Sequence, residues 1–306
     1  MHISPASLST LTKSFRVNFL RGLESAPATW MEYATRVPST RKTQNYPFLG
    51  KVPRMREWLG PRVSKAIDSY DFEVVNRKFE DTIELSREDL EDNEDMGLFA
   101  PLASDLGMAA AMLPDDLVAE ALIGADAALC YDGQFFFDTD HPYDGGTQAN
   151  LLTSQPLNEA NYIEARAAMR SLLDDRGDPL NVNPNLLVVP PSLEHVGRTL
   201  VEAQMIDQGA GDTNTHSGQS NVYRGTARVL VVPRLEADSA EDWYLMDTTR
   251  AIKPFIFQER IAPKLTAKTS ETDDNVFDRD VFVWGTRARG AAFGGLWQLA
   301  FKCDAS

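Results

Sequence analysis

The first third of the chain limits the fold most, because it holds little apolar pattern with which to build a core of its own. One amphipathic helix is predicted from Ser4 or Ser7 to about Ser25, with apolar residues at three- and four-residue steps. An extended piece follows, and then a basic stretch, Tyr46 to Arg62, punctuated by prolines and glycines. Such segments are marginal in water by themselves. We therefore expect both to become ordered by lying across other copies of the chain.

The basic stretch and the loosely alternating residues from Ser69 to Leu85 predict a long two-stranded projection. An acidic run, Glu80 to Asp95, overlaps its end. This run has two compatible interpretations: a solvated helix start, or a surface that receives a basic partner. The cations of the projection are Lys51, Arg54, Arg56, Arg62 and Lys65.

The remaining residues predict helices and strands in alternation, followed by strands alone, which is an α+β pattern. The predicted helices are Gly97–Ala128, interrupted or kinked at Pro114, then Glu159–Leu173 and Ser192–Ile206. The predicted strands are Leu186–Val189, Val229–Val232, Trp243–Met246, Phe255–Ile261, Leu265–Lys268, Val276–Trp284 and Leu296–Phe301. Between them, Asp207 to Asn221 is rich in glycine and small polar residues and predicts a loop.

Length and charge narrow the range of possible functions. A chain of 306 residues allows two subdomains. Its net charge of −15 disfavours sequence-specific DNA binding, which needs a basic patch. No apolar run is long enough for a membrane span, and no signal peptide is expected, so the protein should stay in the cytoplasm of the cell that makes it. The two cysteines, Cys130 and Cys303, are expected to be reduced and buried.

Motifs for catalysis are scarce. The sequence has no phosphate-binding loop, no HExxH, no GxGxxG turn after a strand and no GxSxG elbow. Asp138, Asp140 and His141 are the one constellation that could bind a divalent cation or form an acid–base pair, as in a metal-dependent hydrolase. Aspartates before His-Pro also make good turns, and we favour that interpretation. We expect no catalytic site, no metal and no cofactor.

A set of short motifs, in order and with consistent spacing, resembles the major head subunits of Mu-like phages and prophages over nearly the whole chain. The N-terminal motifs are Pro5-Ala6-Ser7, Gly22-Leu23-Glu24, Ala26-Pro27, Leu49-Gly50-Lys51, Pro53, Glu57-Trp58, Gly60, Arg62, Phe79-Glu80, Ser86-Arg87, Asp89 and Glu91-Asp92. The more specific motifs are Cys130-Tyr131-Asp132-Gly133-Gln134, Phe136-Phe137, His141-Pro142, Ile256-Phe257-Gln258-Glu259-Arg260 and Trp297-Gln298.

The resemblance implies the HK97-like capsid fold and a role in assembly. It divides the chain into an N-terminal arm (1–44), an extended loop (45–86), a peripheral domain with a spine helix (87–130 and 250–306) and an axial domain (131–249). It implies hexamers and pentamers that form an icosahedral head around double-stranded DNA, built in the host bacterial cytoplasm. Portal, scaffold or protease, and decoration proteins of the same phage are the further partners implied.

Our hypothesis for the contacts between subunits is that the basic loop of one copy docks near the acidic run of the next, with Trp58 and Leu59 as apolar anchor. The residues assigned to these contacts are Lys51, Arg54, Arg56, Trp58, Leu59, Arg62, Glu88, Asp89, Glu91, Asp92, Phe15 and Phe19. An isopeptide crosslink from Lys51 or Lys65, as some phage shells use, is not distinguished from ordinary ion pairing. Rival functions are an encapsulin-like bacterial shell, the hydrolase named above, and a soluble tail or decoration protein.

Overall fold

A computed structural model describes residues 4–46, 73–92, 99–143, 145–174, 177–207 and 218–305. Within those ranges the helices are α1 (Pro5–Ser25), α2 (Arg87–Asp92), α3 (Ala100–Ile123), α4 (Glu159–Arg170), α5 (Glu194–Glu202) and α6 (Asp274–Arg279). The strands are β1 (Ala34–Pro38), β2 (Thr43–Asn45), β3 (Glu73–Val75), β4 (Arg77–Ser86), β5 (His141–Tyr143), β6 (Gly146–Gln148), β7 (Leu151–Leu152), β8 (Leu186–Val189), β9 (Met205–Asp207), β10 (Gly218–Ser220), β11 (Arg228–Val231), β12 (Trp243–Met246), β13 (Phe255–Lys268), β14 (Val281–Gly294) and β15 (Ala300–Cys303). None of the described helices is both long and apolar enough to cross a lipid bilayer.

Two main sheets organise the molecule. A four-stranded sheet has the order β1-β13-β14-β4, in which β1 runs parallel to β13 and the other neighbours are antiparallel. A five-stranded sheet has the order β11-β8-β12-β15-β7, with parallel pairs at both edges. Strands of both kinds of pairing in one sheet, with helices packed beside them, confirm the predicted α+β class.

The long hairpin of β13 and β14 forms the middle of the four-stranded sheet. The sequence predicted two strands here, Phe255–Ile261 and Leu265–Lys268, whereas the structure has one strand with shifts of register at Glu259/Ile261 and Ile261/Lys264. Pro263 lies in the second irregular stretch and has no N–H to give to the ladder. The break in the sequence pattern is therefore a bulge inside one strand.

The N-terminal helix packs on its own chain. Ser4 is its N-cap, and its hydroxyl accepts a hydrogen bond from the Ser7 N–H while the Ser7 hydroxyl accepts one from the Ser4 N–H, a capping box. Phe15 contacts the indole of Trp284, with ring centroids 4.7 Å apart. Strand β1 is likewise paired with β13 of the same chain. The expectation that the whole of 1–44 is an arm needing a neighbour is thus wrong for α1 and β1.

Helices α1 and α3 meet backbone to backbone at two glycines. A Cβ on Gly22 would lie 2.0 Å from the carbonyl oxygen of Ser104, and one on Gly107 would lie 2.1 Å from that of Phe19. Below this crossing, α1, α3 and β14 enclose a separate apolar cluster. Its members include Leu8, Leu11, Phe15, Phe19, Leu106, Phe282 and Trp284. The long helix predicted over Gly97–Ala128 is confirmed as α3, and it continues through Pro114.

The five-stranded sheet confirms the strands that the apolar runs predicted. Strands β8 and β12 are buried at every residue, and β8 lies between β11 and β12. Helix α5 packs on this sheet at Gly197, where an added Cβ would contact the side chains of Leu187 and Val229. Helix α4 matches the helix predicted from Glu159. These elements agree because each is specified by its own local pattern.

Several boundaries differ from prediction. The helix predicted through Ile206 ends at Glu202, and β9 begins at Met205. The helix in the acidic run begins only at Arg87; Glu80 to Ser86 belong to β4, as the alternation up to Leu85 predicts, and Glu80 lies opposite Arg287 of β14. Val276 lies in α6 instead of a strand. Strand β15 joins the five-stranded sheet, so the expected grouping of all of 250–306 in one peripheral domain does not hold for this strand.

Candidate functional site

His141 is the centre of a buried polar cluster. It begins β5, its side chain has no exposed surface, and its ring stacks on the indole of Trp297 with centroids 3.9 Å apart. Its Nδ1 lies 2.7 Å from a carboxylate oxygen of Asp132, and its Nε2 lies 3.1 Å from Oδ1 of Asn150. The Asp132 carboxylate is itself nine-tenths buried. A histidine held in this way fixes structure and cannot reach a substrate in solvent.

Asp138 and Asp140 do not join this cluster. The Asp138 carboxylate accepts hydrogen bonds from the N–H groups of Thr139, at 2.7 Å, and Phe135, at 3.4 Å, which is turn geometry. Asp140 is exposed, and the little burial it has, together with the charge of Asp138, raises the pKa of its carboxyl. In the part of the chain that the structure describes, no three histidine, cysteine, aspartate or glutamate side chains are grouped so that they could hold a metal ion. Asp138 and Asp140 lie beside each other in this turn, while the His141 ring belongs to the buried cluster, so the three side chains do not form a metal site.

Asn150 joins His141 to the surrounding backbone, and sequence reasoning missed it. Its Nδ2 donates to the carbonyl oxygens of Phe136, Trp297 and Ala300, while its Oδ1 accepts from the Asp138 N–H at 2.9 Å. The residue is fully buried. A single asparagine outside any periodic pattern gives no sequence signal. Only the fold shows that three separate segments depend on it.

Residues of three of the more specific motifs, Cys130 to Gln134, His141-Pro142 and Trp297-Gln298, meet in this cluster. Tyr131 and Gln298 exchange hydrogen bonds of 3.0 and 2.7 Å, Asp132 contacts His141, and His141 stacks on Trp297. Residues more than 150 positions apart along the chain are thus neighbours in space. The motifs therefore mark a structural joint between the segment after α3 and the C-terminal strand.

Lys302 forms a second buried charged group, in β15. Its Nζ lies 2.5 Å from a carboxylate oxygen of Asp126 and 3.1 Å from one of Asp242. Burial by itself lowers the pKa of Lys302, but the hydrogen bond to Asp126 and the charges of both carboxylates outweigh it, so the pKa is raised. The pKa of Asp126 is also raised, because burial and the nearby carboxylates of Asp242 and Asp238 outweigh the effect of the lysine. One buried cation is therefore shared by two crowded carboxylates.

Replacing Lys302 with methionine is expected to lower the free energy of unfolding by about 2 kcal/mol at pH 7, because two carboxylates lose their counter-charge. The deficit should shrink at pH 4, where carboxylates take up protons. In the unaltered chain the raised pKa of Lys302 adds stability that is complete below the pKa of an unfolded lysine, about 10.4, and is lost as the pH rises through the higher folded value. Urea unfolding at pH 4, 7 and 11 measures the deficit at neutral pH, its decrease in acid and the loss of the Lys302 contribution at high pH. Lys78→Met, at an exposed position, is the control and should change stability by less than about 0.5 kcal/mol; a Lys302 variant with the same small change would contradict the assignment.

The acidic run forms an exposed surface on α2. The carboxylates of Glu88, Asp89, Glu91 and Asp92 are all on the exposed side of this short helix. Asp89 accepts a hydrogen bond from the Ser86 hydroxyl at 2.7 Å, and Arg87 is paired with Asp280 at 2.5 Å. The hydrogen bond to Asp280 also raises the pKa of Arg87. The nearest cation is thus already paired, and α2 presents net negative charge to solvent.

Comparison with known proteins places the chain in a family. Its sequence matches the family described as Mu-like prophage major head subunit gpT over residues 8–155, 145–235 and 221–306. The chain belongs to this family. It is 29% identical to the major capsid protein of Escherichia phage Mu over 98% of this chain and 74% of that protein. It is 30% identical to the Mu-like prophage FluMu major head subunit of Haemophilus influenzae over 98% of this chain and 73% of that one.

Solved structures agree. A chain from the procapsid of bacteriophage JBD30 is 32% identical, with a TM-score of 0.60 over 98% of this chain and 75% of that one. A chain of the JBD30 capsid is 28% identical, with a TM-score of 0.56 over 76% of this chain and 98% of that one. A virus-like particle from Pyrococcus furiosus, 11% identical, shares only the fold, with a TM-score of 0.50 over 95% of this chain and 98% of that one. The HK97-like fold and the major head subunit family, both predicted from the sequence, are confirmed.

The family assignment decides among the rival functions. A major head subunit is a structural protein of the virion, which removes the tail and decoration alternatives and favours the phage head over the encapsulin-like shell. The hydrolase alternative placed His141 at a reactive site, whereas the structure buries this side chain completely. Both cysteines are free and buried, as expected, and burial raises the pKa of each thiol.

The residues predicted to contact other subunits fall into three groups. Phe15 and Phe19 are buried within the chain's own apolar cluster, so their assignment to such contacts is wrong. The four acidic residues are exposed on α2. The remaining six lie outside the described residues: Lys51, Arg54, Arg56, Trp58, Leu59 and Arg62, as does Lys65. Strands β2 and β3, which lie on either side of that stretch in the sequence, pair antiparallel with each other.

Proposed function

We propose that copies of this chain assemble into hexameric and pentameric rings, and that these rings close into an icosahedral head around the double-stranded DNA of a phage. The observation that carries the proposal is the match to a procapsid chain along 98% of this chain at 32% identity. A closed shell of identical subunits needs heterologous contacts that symmetry completes. The exposed acidic side of α2 is one surface that the chain offers for them.

The net charge of −15 suits a shell that encloses DNA without adhering to it, because phosphates are repelled on average. The head would be built in the host cytoplasm with portal and scaffold or protease proteins of the same phage. A decoration protein is a further proposed partner: a related capsid chain, from bacteriophage JBD30 and 28% identical with a TM-score of 0.57, is described as decorated with minor capsid protein trimers. The role is assembly, and we assign no catalytic residue.

We divide the chain into the parts of this fold as follows. The four-stranded sheet with α3 as spine helix is the proposed peripheral domain, and it includes α1. The five-stranded sheet is the proposed axial domain, which takes residues 131–249 together with β15. The proposed extended loop is 45–86; its last strand, β4, is also the edge strand of the four-stranded sheet and so joins the loop to the peripheral domain.

Electron microscopy of the purified chain tests the proposal. Negative-stain images should contain closed icosahedral particles or capsomer rings, formed from the chain alone or with its scaffold. Dispersed monomers at every concentration, with and without scaffold, would contradict the shell function.

Reversing the charge of Arg54 and Arg56 to glutamate is expected to leave folded subunits but few closed shells. The reason is that two like-charged surfaces, the altered loop and α2, would then face each other at the proposed contact. Particle counts by microscopy and the circular dichroism spectrum of the subunits measure the two effects separately.

A charge swap provides the control. Adding Glu88→Arg and Glu91→Arg on α2 should restore closed shells to the Arg54→Glu, Arg56→Glu variant, because the attraction returns with the signs exchanged. Normal heads from the Arg54→Glu, Arg56→Glu variant would contradict the proposed contact. A failure of the charge swap to restore closed shells would contradict it as well.

A further inference from the structure

An exposed phenylalanine stands at the tip of the long hairpin. Helix α6 connects β13 to β14, and its Val276 is buried in the apolar cluster under α1. The next residue, Phe277, is 84% exposed. Isolated apolar residues on a surface are common, so the exposure by itself indicates nothing. The neighbouring cavity and the charges around Phe277 are what indicate a role for it.

A cavity of about 620 Å³ lies at the same end of the hairpin. Leu8 and Phe282, both buried, are the two apolar residues of its lining, and the other lining residues are polar or charged. Residues 269–272, which lead directly into α6, form another side. The exposure of Phe277 means that it does not fill this cavity in its own chain.

The two features carry opposite charge. Lys13 and Arg16 line the cavity, both are exposed, and neither has an ion pair among the residues described. Arg87 also lines it, with its guanidinium 5.4 Å from the centroid of the Phe282 ring, although Arg87 is paired with Asp280. Glu271 is the one acidic residue in the lining. On α6, Phe277 stands between two exposed aspartates, Asp274 and Asp278.

We propose that Phe277 of one subunit inserts into the cavity at the tip of a second copy, with Asp274 and Asp278 of the first facing Lys13 and Arg16 of the second. This contact rests on the proposed shell function, since it requires copies held side by side. A buried aromatic side chain is the kind of anchor that carries most binding energy at interfaces, and here charged residues surround the cavity that would receive it. Because anchor and cavity share one end of the hairpin, each copy can give one contact and receive one, so copies arranged around a symmetry axis can satisfy every contact.

Phe277→Ser tests the anchor. The side chain is exposed, so the variant should fold and unfold as the unaltered chain does. The association of subunits into particles, measured by sedimentation and microscopy, should weaken at least about tenfold. Val222→Ser, which removes another highly exposed apolar side chain from outside the hairpin, is the matched control and should assemble normally. If the unaltered chain forms no particles, the shell function itself fails; if Phe277→Ser assembles as well as the control, only the tip contact fails.

A disulfide trap identifies the partner surface. Phe277→Cys combined with Ser9→Cys, in the lining of the cavity, should give crosslinked chains on oxidation of assembled particles. The native thiols are buried and should not react. Each single variant should stay monomeric on a denaturing gel. Particles of the double variant that give no crosslink, or a crosslink only within one chain, would overturn the contact.

Discussion

Replacing Asn150 with leucine is expected to lower the free energy of unfolding by about 5 kcal/mol, which is at the upper end for a single substitution. The side chain is fully buried, and leucine of similar size can form none of its hydrogen bonds. Each buried polar group left without a partner costs roughly 1–3 kcal/mol, and these costs add only in part. The groups affected are the carbonyls of Phe136, Trp297 and Ala300, the N–H of Asp138 and the ring of His141.

Asn158→Leu is the matched control. Asn158 is the N-cap of α4, where its Oδ1 accepts a hydrogen bond from the Asn161 N–H at 2.9 Å, and it is exposed. Losing an N-cap costs about 1 kcal/mol. Urea unfolding of dispersed subunits should therefore separate the two identical substitutions by several kcal/mol. Equal effects would mean that the Asn150 network contributes nothing beyond a single cap.

The contrast between these two asparagines indicates what the sequence can predict. Asn158 precedes a periodic helical segment, so its capping role follows from local pattern. Asn150 lies nine positions from His141 and 150 from Ala300, and no periodicity connects them. Polar networks of this kind are set by how the sheets are placed, which is a property of the whole fold. The strands β8 and β12, by contrast, were predicted because a run of apolar residues specifies each of them.

Charge patterns were a weaker guide than apolar ones. The acidic run from Glu80 is compatible with a helix start or a partner surface, whereas the alternating residues up to Leu85 predict a strand. The first half of the run is strand, with Glu80 opposite Arg287 of β14. The sequence predicts the N-terminal helix with its correct end at Ser25. It does not predict the element on which this helix packs. That element is α3 of the same chain, and the contact depends on glycines, which in a sequence suggest only a weaker helix.

Gly107→Ala is expected to destabilise the chain by about 3 kcal/mol, the upper end of the usual range for overpacking. Alanine is favoured over glycine inside a helix by about 1 kcal/mol, so helix propensity alone predicts the opposite sign. The added Cβ would lie 2.1 Å from the carbonyl oxygen of Phe19, which is backbone and cannot rotate away. Helix α1 must then move, and Phe15 and Phe19 lose their close packing on α3 and Trp284.

Gly124→Ala is the control that separates the steric clash at Gly107 from the general effect of replacing a helix glycine. Gly124 ends the same helix, and no atom lies within 4 Å of the position that its Cβ would occupy. This variant should be neutral or slightly stabilising, since its backbone φ of −77° suits any residue. Thermal unfolding followed by circular dichroism, together with protease cleavage after Arg16 or Arg21 in α1, distinguishes the Gly107→Ala variant from the Gly124→Ala variant. A Gly107 variant with unchanged stability and an uncleaved α1 would show that the helices do not cross at these glycines, and the packing of α1 on its own chain would have to be abandoned with it.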